Sequence, residues 1–177
     1  MIQLVKGIDE KTGQIVSDKA FRFEDVMNEE GYKVPSHKLG AKLFADVSFP
    51  DGITDTEIGK MTRLSKLMIA ESNMLGYRTR GGIKPYTRDE IISIAKLAKR
   101  QGVTFVTKMQ RLGVMQKNIR IVDGKEVHDY YINPAYFFMG KRISLNLYLI
   151  FREHLDPIIP EWVKKEFISA ANEQVKP

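Results

Sequence analysis

The side chains of this chain with the most chemical potential are cations. Between residues 76 and 120 eleven Lys and Arg face only Asp89 and Glu90, a net charge of +9. Residues 1–31 carry four Lys/Arg against seven acids, a net charge of −3. A lysine-rich surface is often merely solvated. Concentrated in one stretch, the same charges suit a surface that meets phosphates. Other chemistries fare worse. Gly76-x-x-x-x-Gly81-Gly82 lacks the Gly-Lys-Ser/Thr ending of a phosphate loop and follows a helical pattern rather than a strand. His37, His128 and His154 have no metal-ligand spacing. Tyr130 or Tyr131 could be offered as a DNA-nicking nucleophile, but no His-x-His cluster accompanies them, so they read as strand tyrosines. Glu29-Glu30 lies in a polar segment and needs no catalytic role. The expectation is a protein without catalytic residues, metal or cofactor.

Bulk properties agree with a folded domain. The chain has 177 residues, 43% hydrophobic and 28% charged, enough to bury a core without staples. It has no cysteine, which excludes disulfides, thiolate zinc sites and thiol catalysis. No apolar run approaches the roughly 20 residues of a membrane helix, and the start has no signal-peptide core. A cytoplasmic protein is the plain expectation.

The elements that must position the cations follow from local pattern. Residues 2–23 read as two short strands around Asp9-Glu10-Lys11-Thr12-Gly13, residues 24–40 as a connection, and Ala41–Phe49 as a further strand. Thr54-x-x-Glu57 is a capping box opening a helix to about Glu71, with Ile58, Met61, Leu64 and Met68 at helical spacing. Asn73–Gly82 is turn-rich and basic. Thr87-x-x-Glu90 opens a second helix carrying Ile91, Ile94, Ala95 and Leu97. A third stretch, Lys99 to Leu112, turns Val103, Val106, Met109 and Leu112 inward; Lys99, Arg100, Gln101, Thr104, Thr107, Lys108 and Arg111 lie on its other side. Gly113 suits the C′ position that ends it. Gly102 is out of place in a helix interior, where it costs roughly 1 kcal/mol relative to Ala, and could instead belong to the preceding turn.

Next, Val114–Val122 and Glu126–Ile132 flank Asp123-Gly124, a type I′ hairpin signal, and Lys117, Arg120 and Lys125 project from that ribbon. Tyr136-Phe137-Phe138-Met139 forms an apolar plug. Ser144 caps a helix, Leu145–Leu155, apolar on most sides and therefore expected to be buried. Pro160 starts a last helix striped by Trp162, Val163, Phe167 and Ala171.

Helix, capped helix, tight turn, helix, glycine exit and ribbon is the order of a winged helix-turn-helix. A helix lying in a groove roughly 12 Å wide needs one polar, basic face and one apolar face braced by its neighbours. The ribbon must be short and basic, since it rides on the adjoining backbone. The expected fold class is thus α+β: a β-rich N-terminal extension over residues 1–50, a winged helix-turn-helix core over 54–140, and C-terminal helices over 144–174.

Residues Thr54 to Ile132 resemble winged-helix proteins of the MarR-like and RepL-like groups of bacterial regulators, phages and plasmids. The resemblance rests on Tyr86-Thr87-Arg88-Asp89-Glu90-Ile91-Ile92, on Leu112-Gly113-Val114-Met115, and on Tyr131-Ile132-Asn133-Pro134-Ala135-Tyr136-Phe137-Phe138. It covers less than half of the chain, and its motifs define a fold better than a function. It implies that the third helix reads double-stranded DNA through Lys99, Arg100, Gln101, Thr104, Lys108 and Arg111, since Arg and Gln have the forked geometry for guanine and adenine edges. It implies that Lys117, Arg120 and Lys125 take phosphates from the wing. Arg78, Arg80 and Lys84 would grip the backbone ahead of the second helix.

The leading expectation is a sequence-specific duplex binder acting as a transcription regulator or a replication-origin binder. The alternative is an interaction module recruiting replication or transcription proteins without specific readout. The C-terminal helices either form a homodimer interface or simply cover the winged core.

Overall fold

The computed structural model describes residues 47–122 and 124–174, with the N-terminal strands Ile2–Ile8 (β1), Ile15–Arg22 (β2), Met27–Asn28 (β3) and Gly31–Lys33 (β4). The chain is α+β. β1 and β2 pair antiparallel; the Asp9–Gly13 turn between them lies outside the described residues. Residues 24–40, expected as a plain connection, contain β3 and β4, and β4 pairs with Arg142–Ile143 (β10). Of the strand expected at Ala41–Phe49, residues 41–46 lie outside the described residues, and Val47–Phe49 is not strand.

Helix α1 spans Asp55–Ser65 and opens on the full capping box, Thr54 and Glu57 each satisfying the other's backbone N–H. It ends six residues earlier than the helical spacing predicts. Met68–Ile69 (β5) leaves the axis and pairs with Met74–Thr79 (β6), because Glu71 and Asn73 adopt positive φ and turn the chain back. Asn73 is fully buried there. Its amide donates to the Ile132 and Phe137 carbonyls and accepts from the Met139 N–H, so it ties this turn to the end of the later ribbon. The segment expected to be merely turn-rich is a hairpin, β6 with Gly82–Pro85 (β7), joined through Arg80-Gly81.

Helix α2, Arg88–Ile94, carries the second capping box, and α3 runs Lys99–Arg111. Gly102 belongs to α3, not to the turn. A Cβ there would collide with the Ile92 side chain, so the glycine permits the close approach of α2 and α3. Gly113, at φ +68, ends the helix as expected. The ribbon follows as Met115–Val122 (β8) and Lys125–Ile132 (β9), with Val122 opposite Lys125 and Gly124 at φ +72. Its sheet runs β5-β6-β9-β8, leaving β8 at the edge.

Two apolar clusters hold these elements. The first gathers Met61 and Leu64 of α1, Ile91 and Ile92 of α2, and Phe105, Val106 and Met109 of α3 against Leu75, Met115 and Ile132 of the sheet. The second gathers Phe138, Ile143, Leu147, Tyr148, Phe151, Leu155, Val163 and Phe167. The plug residues divide between them: Tyr136 and Phe137 enter the first cluster, Phe138 the second. The expected helix Leu145–Leu155 is two helices, Leu145–Ile150 (α4) and Arg152–Leu155 (α5), broken at Phe151, where φ is −120. It is buried on one side only; Leu149 is exposed. Helix α6, Glu161–Gln174, stacks Phe167 on Tyr148 with ring centroids 4.3 Å apart. Burial and a hydrogen bond from its hydroxyl to Asp156 push the Tyr148 pKa up to about 12. None of the described helices is long and apolar enough to cross a membrane.

Candidate nucleic-acid interface

The site is built around α3. Gly102, Phe105, Val106 and Met109 are buried, which fixes the roll of the helix. At about 100° per residue, the opposite stripe is Arg100, Thr104, Thr107 and Arg111, with Gln101 and Lys108 alongside. Arg100, Gln101, Thr104, Thr107 and Arg111 are exposed. Arg100, Gln101 and Arg111 form no side-chain hydrogen bond or ion pair with described residues; Thr104 donates only to the Arg100 carbonyl. Lys99 lies about a quarter-turn away from this stripe, 3.8 Å from Asp89, both side chains well exposed.

Lys108 is differently placed. Its ammonium donates to both carboxylate oxygens of Glu57, at 2.8 and 2.7 Å. Burial works to raise the Glu57 pKa, but the Lys108 ammonium and the Thr54 N–H and hydroxyl outweigh it and hold the carboxyl below its ordinary value. The expected reading set is therefore five exposed residues and one cation already committed.

Beside this pair lies a cleft of about 350 Å³ between the start of α1 and α3. Lys60, Arg100, Gln101 and Thr104 supply its polar wall; Leu97 and Phe105 supply apolar lining. Glu57, Lys60, Leu97 and Phe105 were not among the expected site residues. Glu57 stands 51 residues from Lys108, and nothing in local pattern joins them.

The ribbon does not present its three cations together. Residues paired across strands share a face, and faces alternate along a strand. The β8–β9 register puts Lys117 with Tyr130 on one face, and Arg120 and Lys125 on the other. Lys117 and Lys125 are exposed and uncommitted. The Arg120 guanidinium binds the Asp129 carboxylate, diagonally across the strands, and that hydrogen bond raises the Arg120 pKa. The Asp129 side chain is fully buried. Beside these cations the ribbon exposes Ile119, Ile121 and Val122.

On the first hairpin, Arg78 is exposed on β6, Arg80 occupies the turn, and Lys84 lies 5.9 Å above the Tyr77 ring. None of the three forms an ion pair with a described residue. The Gly81-Gly82 pair was the available signal for this hairpin, since glycine-rich dipeptides mark tight strand connections.

Among the described residues no group of three or more His, Asp or Glu could hold a metal. No protein-family model, characterised protein or solved structure matches this chain.

Proposed function

We propose that this protein binds double-stranded DNA sequence-specifically, as a winged helix-turn-helix with α3 as the reading helix. One observation carries the reading. A stripe of exposed Arg100, Thr104 and Arg111, with Gln101 beside it, stands opposite a buried face and is followed directly by a ribbon that exposes Lys117 and Lys125. Arg and Gln can each make paired hydrogen bonds to a purine edge, and the hairpin cations can take phosphates on either side. Whether the protein regulates transcription or marks a replication origin is decided by where its sites lie: at a promoter, or in iterated repeats.

The test is selection from a random duplex pool with purified protein, followed by titration on the recovered site. A palindrome with half-sites about one helical turn apart, roughly 34–36 Å, identifies a homodimer. Arg100→Ala should weaken specific binding by about 1–3 kcal/mol, roughly 5- to 150-fold, and relax one base position, with the fold unchanged by circular dichroism. Unchanged affinity would remove α3 as the reader.

A second reading has one observation in its favour. The exposed Ile119, Ile121 and Val122 on edge strand β8 make the ribbon more apolar than phosphate contact requires, as a strand that pairs with a protein partner would be. Salt separates the two. DNA affinity falls along a log–log line with a slope of about −0.9 per neutralised phosphate; an apolar protein interface does not.

A further inference from the structure

The ion pair between Glu57 and Lys108 joins the first turn of α1 to α3, the helix proposed to read DNA. Lys108 stands two turns beyond Arg100, after Thr104, beside the exposed stripe of α3. An unpaired lysine there would meet any duplex laid on that stripe. Its partner is not a carboxylate that can swing away. The Glu57 oxygen that receives Lys108 at 2.7 Å also accepts from the Thr54 N–H at 2.8 Å and the Thr54 hydroxyl at 3.1 Å. The first turn of α1 thus fixes the carboxylate, and the carboxylate fixes the ammonium. Both side chains are largely shielded, 24% exposed for Lys108 and 18% for Glu57, so solvent screens the pair only in part.

We propose that Glu57 is a specificity-determining residue: by holding Lys108 it removes one phosphate-seeking cation from the reading face. This rests on the DNA-binding reading given above. Phosphates are the same at every sequence, so each cation they capture raises affinity for wrong sites as much as for the right one. Cancelling Lys108 lowers that shared affinity and leaves Arg100, Gln101 and Thr104, which face base edges, to set the difference. Without DNA, the same pair locks the start of α1 to the later turns of α3.

Charge arithmetic separates this role from a plain phosphate contact. Glu57→Gln keeps the capping box, since glutamine serves at that position as glutamate does. It frees the ammonium. Affinity for a random duplex should rise by roughly fivefold to tenfold at about 0.1 M salt, and the salt slope should steepen by about 0.9, the signature of one added phosphate. Lys108→Ala leaves an uncompensated carboxylate facing the duplex and should weaken random binding. The double variant carries no net charge at the pair and should return close to the parent. All four proteins are titrated by fluorescence anisotropy on a random duplex and on the selected site, at several salt concentrations. If Glu57→Gln matches the parent while Lys108→Ala and the double variant are equally weakened, Lys108 contacts phosphate regardless of Glu57, and the proposal is overturned. Should Glu57→Gln misfold, the salt slope of Lys108→Ala still decides: a slope equal to the parent's supports the screening role, and one flattened by about 0.9 refutes it. A parent that binds no duplex overturns the DNA-binding reading itself, and that outcome is distinct from the others.

Discussion

Two hairpins leave the central sheet with three Lys or Arg each, and they hold those cations differently. The first, β6–β7, carries Arg78, Arg80 and Lys84, and no described carboxylate pairs with any of them. The second, β8–β9, carries Lys117, Arg120 and Lys125, but Arg120 belongs to the buried Asp129. Counting cations along the sequence ranks the two hairpins as equals. Counting cations free to meet an anion favours the first. A charge engaged by a buried carboxylate is part of the scaffold; a charge with no partner is available to a ligand.

The strongest way to break this comparison is through stability. Arg120→Ala would strand the Asp129 carboxylate in a buried position with no cation beside it. Breaking a fully buried pair costs roughly 3–5 kcal/mol; because Arg120 is 48% exposed, about 2 kcal/mol is expected here. For a chain of this length that is a fall in Tm of about 4–8 °C. Arg78→Ala and Arg80→Ala should each change stability by less than about 0.5 kcal/mol. Urea melts of the three variants decide it. Equal sensitivity in the two hairpins would erase the distinction.

Much of this architecture is legible from local pattern, and the committed charges show where that legibility ends. Both capping boxes are pairs three residues apart, and both form. The Asp123-Gly124 signal sets a two-residue connection, and with it the whole β8–β9 register. Val122 opposite Lys125 puts Asn118 opposite Asp129, so the register sets Arg120 diagonal to Asp129, whereas the sequence reading gives Arg120 to a phosphate. Gly102 is opaque by contrast. Helix propensity marks it as a defect, and its reason is Ile92 on the neighbouring helix, a fact of packing. β6 is opaque too: Met74, Leu75 and Gly76 are all buried, so the strand begins without the alternation that reveals a half-covered sheet. Glu57 and Lys108 lie beyond any periodicity argument, since only the packing of α1 against α3 brings them together.

A smaller effect sharpens the comparison through binding. Under the DNA-binding reading, Arg78→Ala with Arg80→Ala should flatten the log–log salt dependence by about 1.8, two phosphates at 0.9 each. The loss should be the same at specific and random sites, since backbone contacts carry no sequence information. Lys117→Ala with Lys125→Ala should flatten it by only about 0.9. These two lysines lie on opposite faces of the ribbon, so one backbone can engage only one of them. The single variants then identify the face that meets DNA. Equal slopes for the two double variants would show that the second hairpin is as free to bind as the first.

The smallest expected effect concerns Lys84, which tests whether a cation can brace its hairpin and remain available. Its ammonium sits 5.9 Å from the Tyr77 ring centroid, and the two residues are cross-strand partners. A ring attracts the cation through its quadrupole and does not cancel the charge, whereas a carboxylate does. Lys84→Ala should therefore cost about 0.5 kcal/mol of stability, the value of an exposed cation–π contact. It should also flatten the salt dependence by about 0.9. Lys84→Arg should preserve both quantities, because a guanidinium also lies well over a ring and also meets phosphate. Arg120→Ala, by the same logic, should lower stability without flattening the slope, measured at a temperature where the variant remains folded. Opposite signatures from two arginine-or-lysine positions of equal formal charge would show that the partner, a ring or a buried carboxylate, decides whether a cation serves the fold alone or the fold and the ligand together.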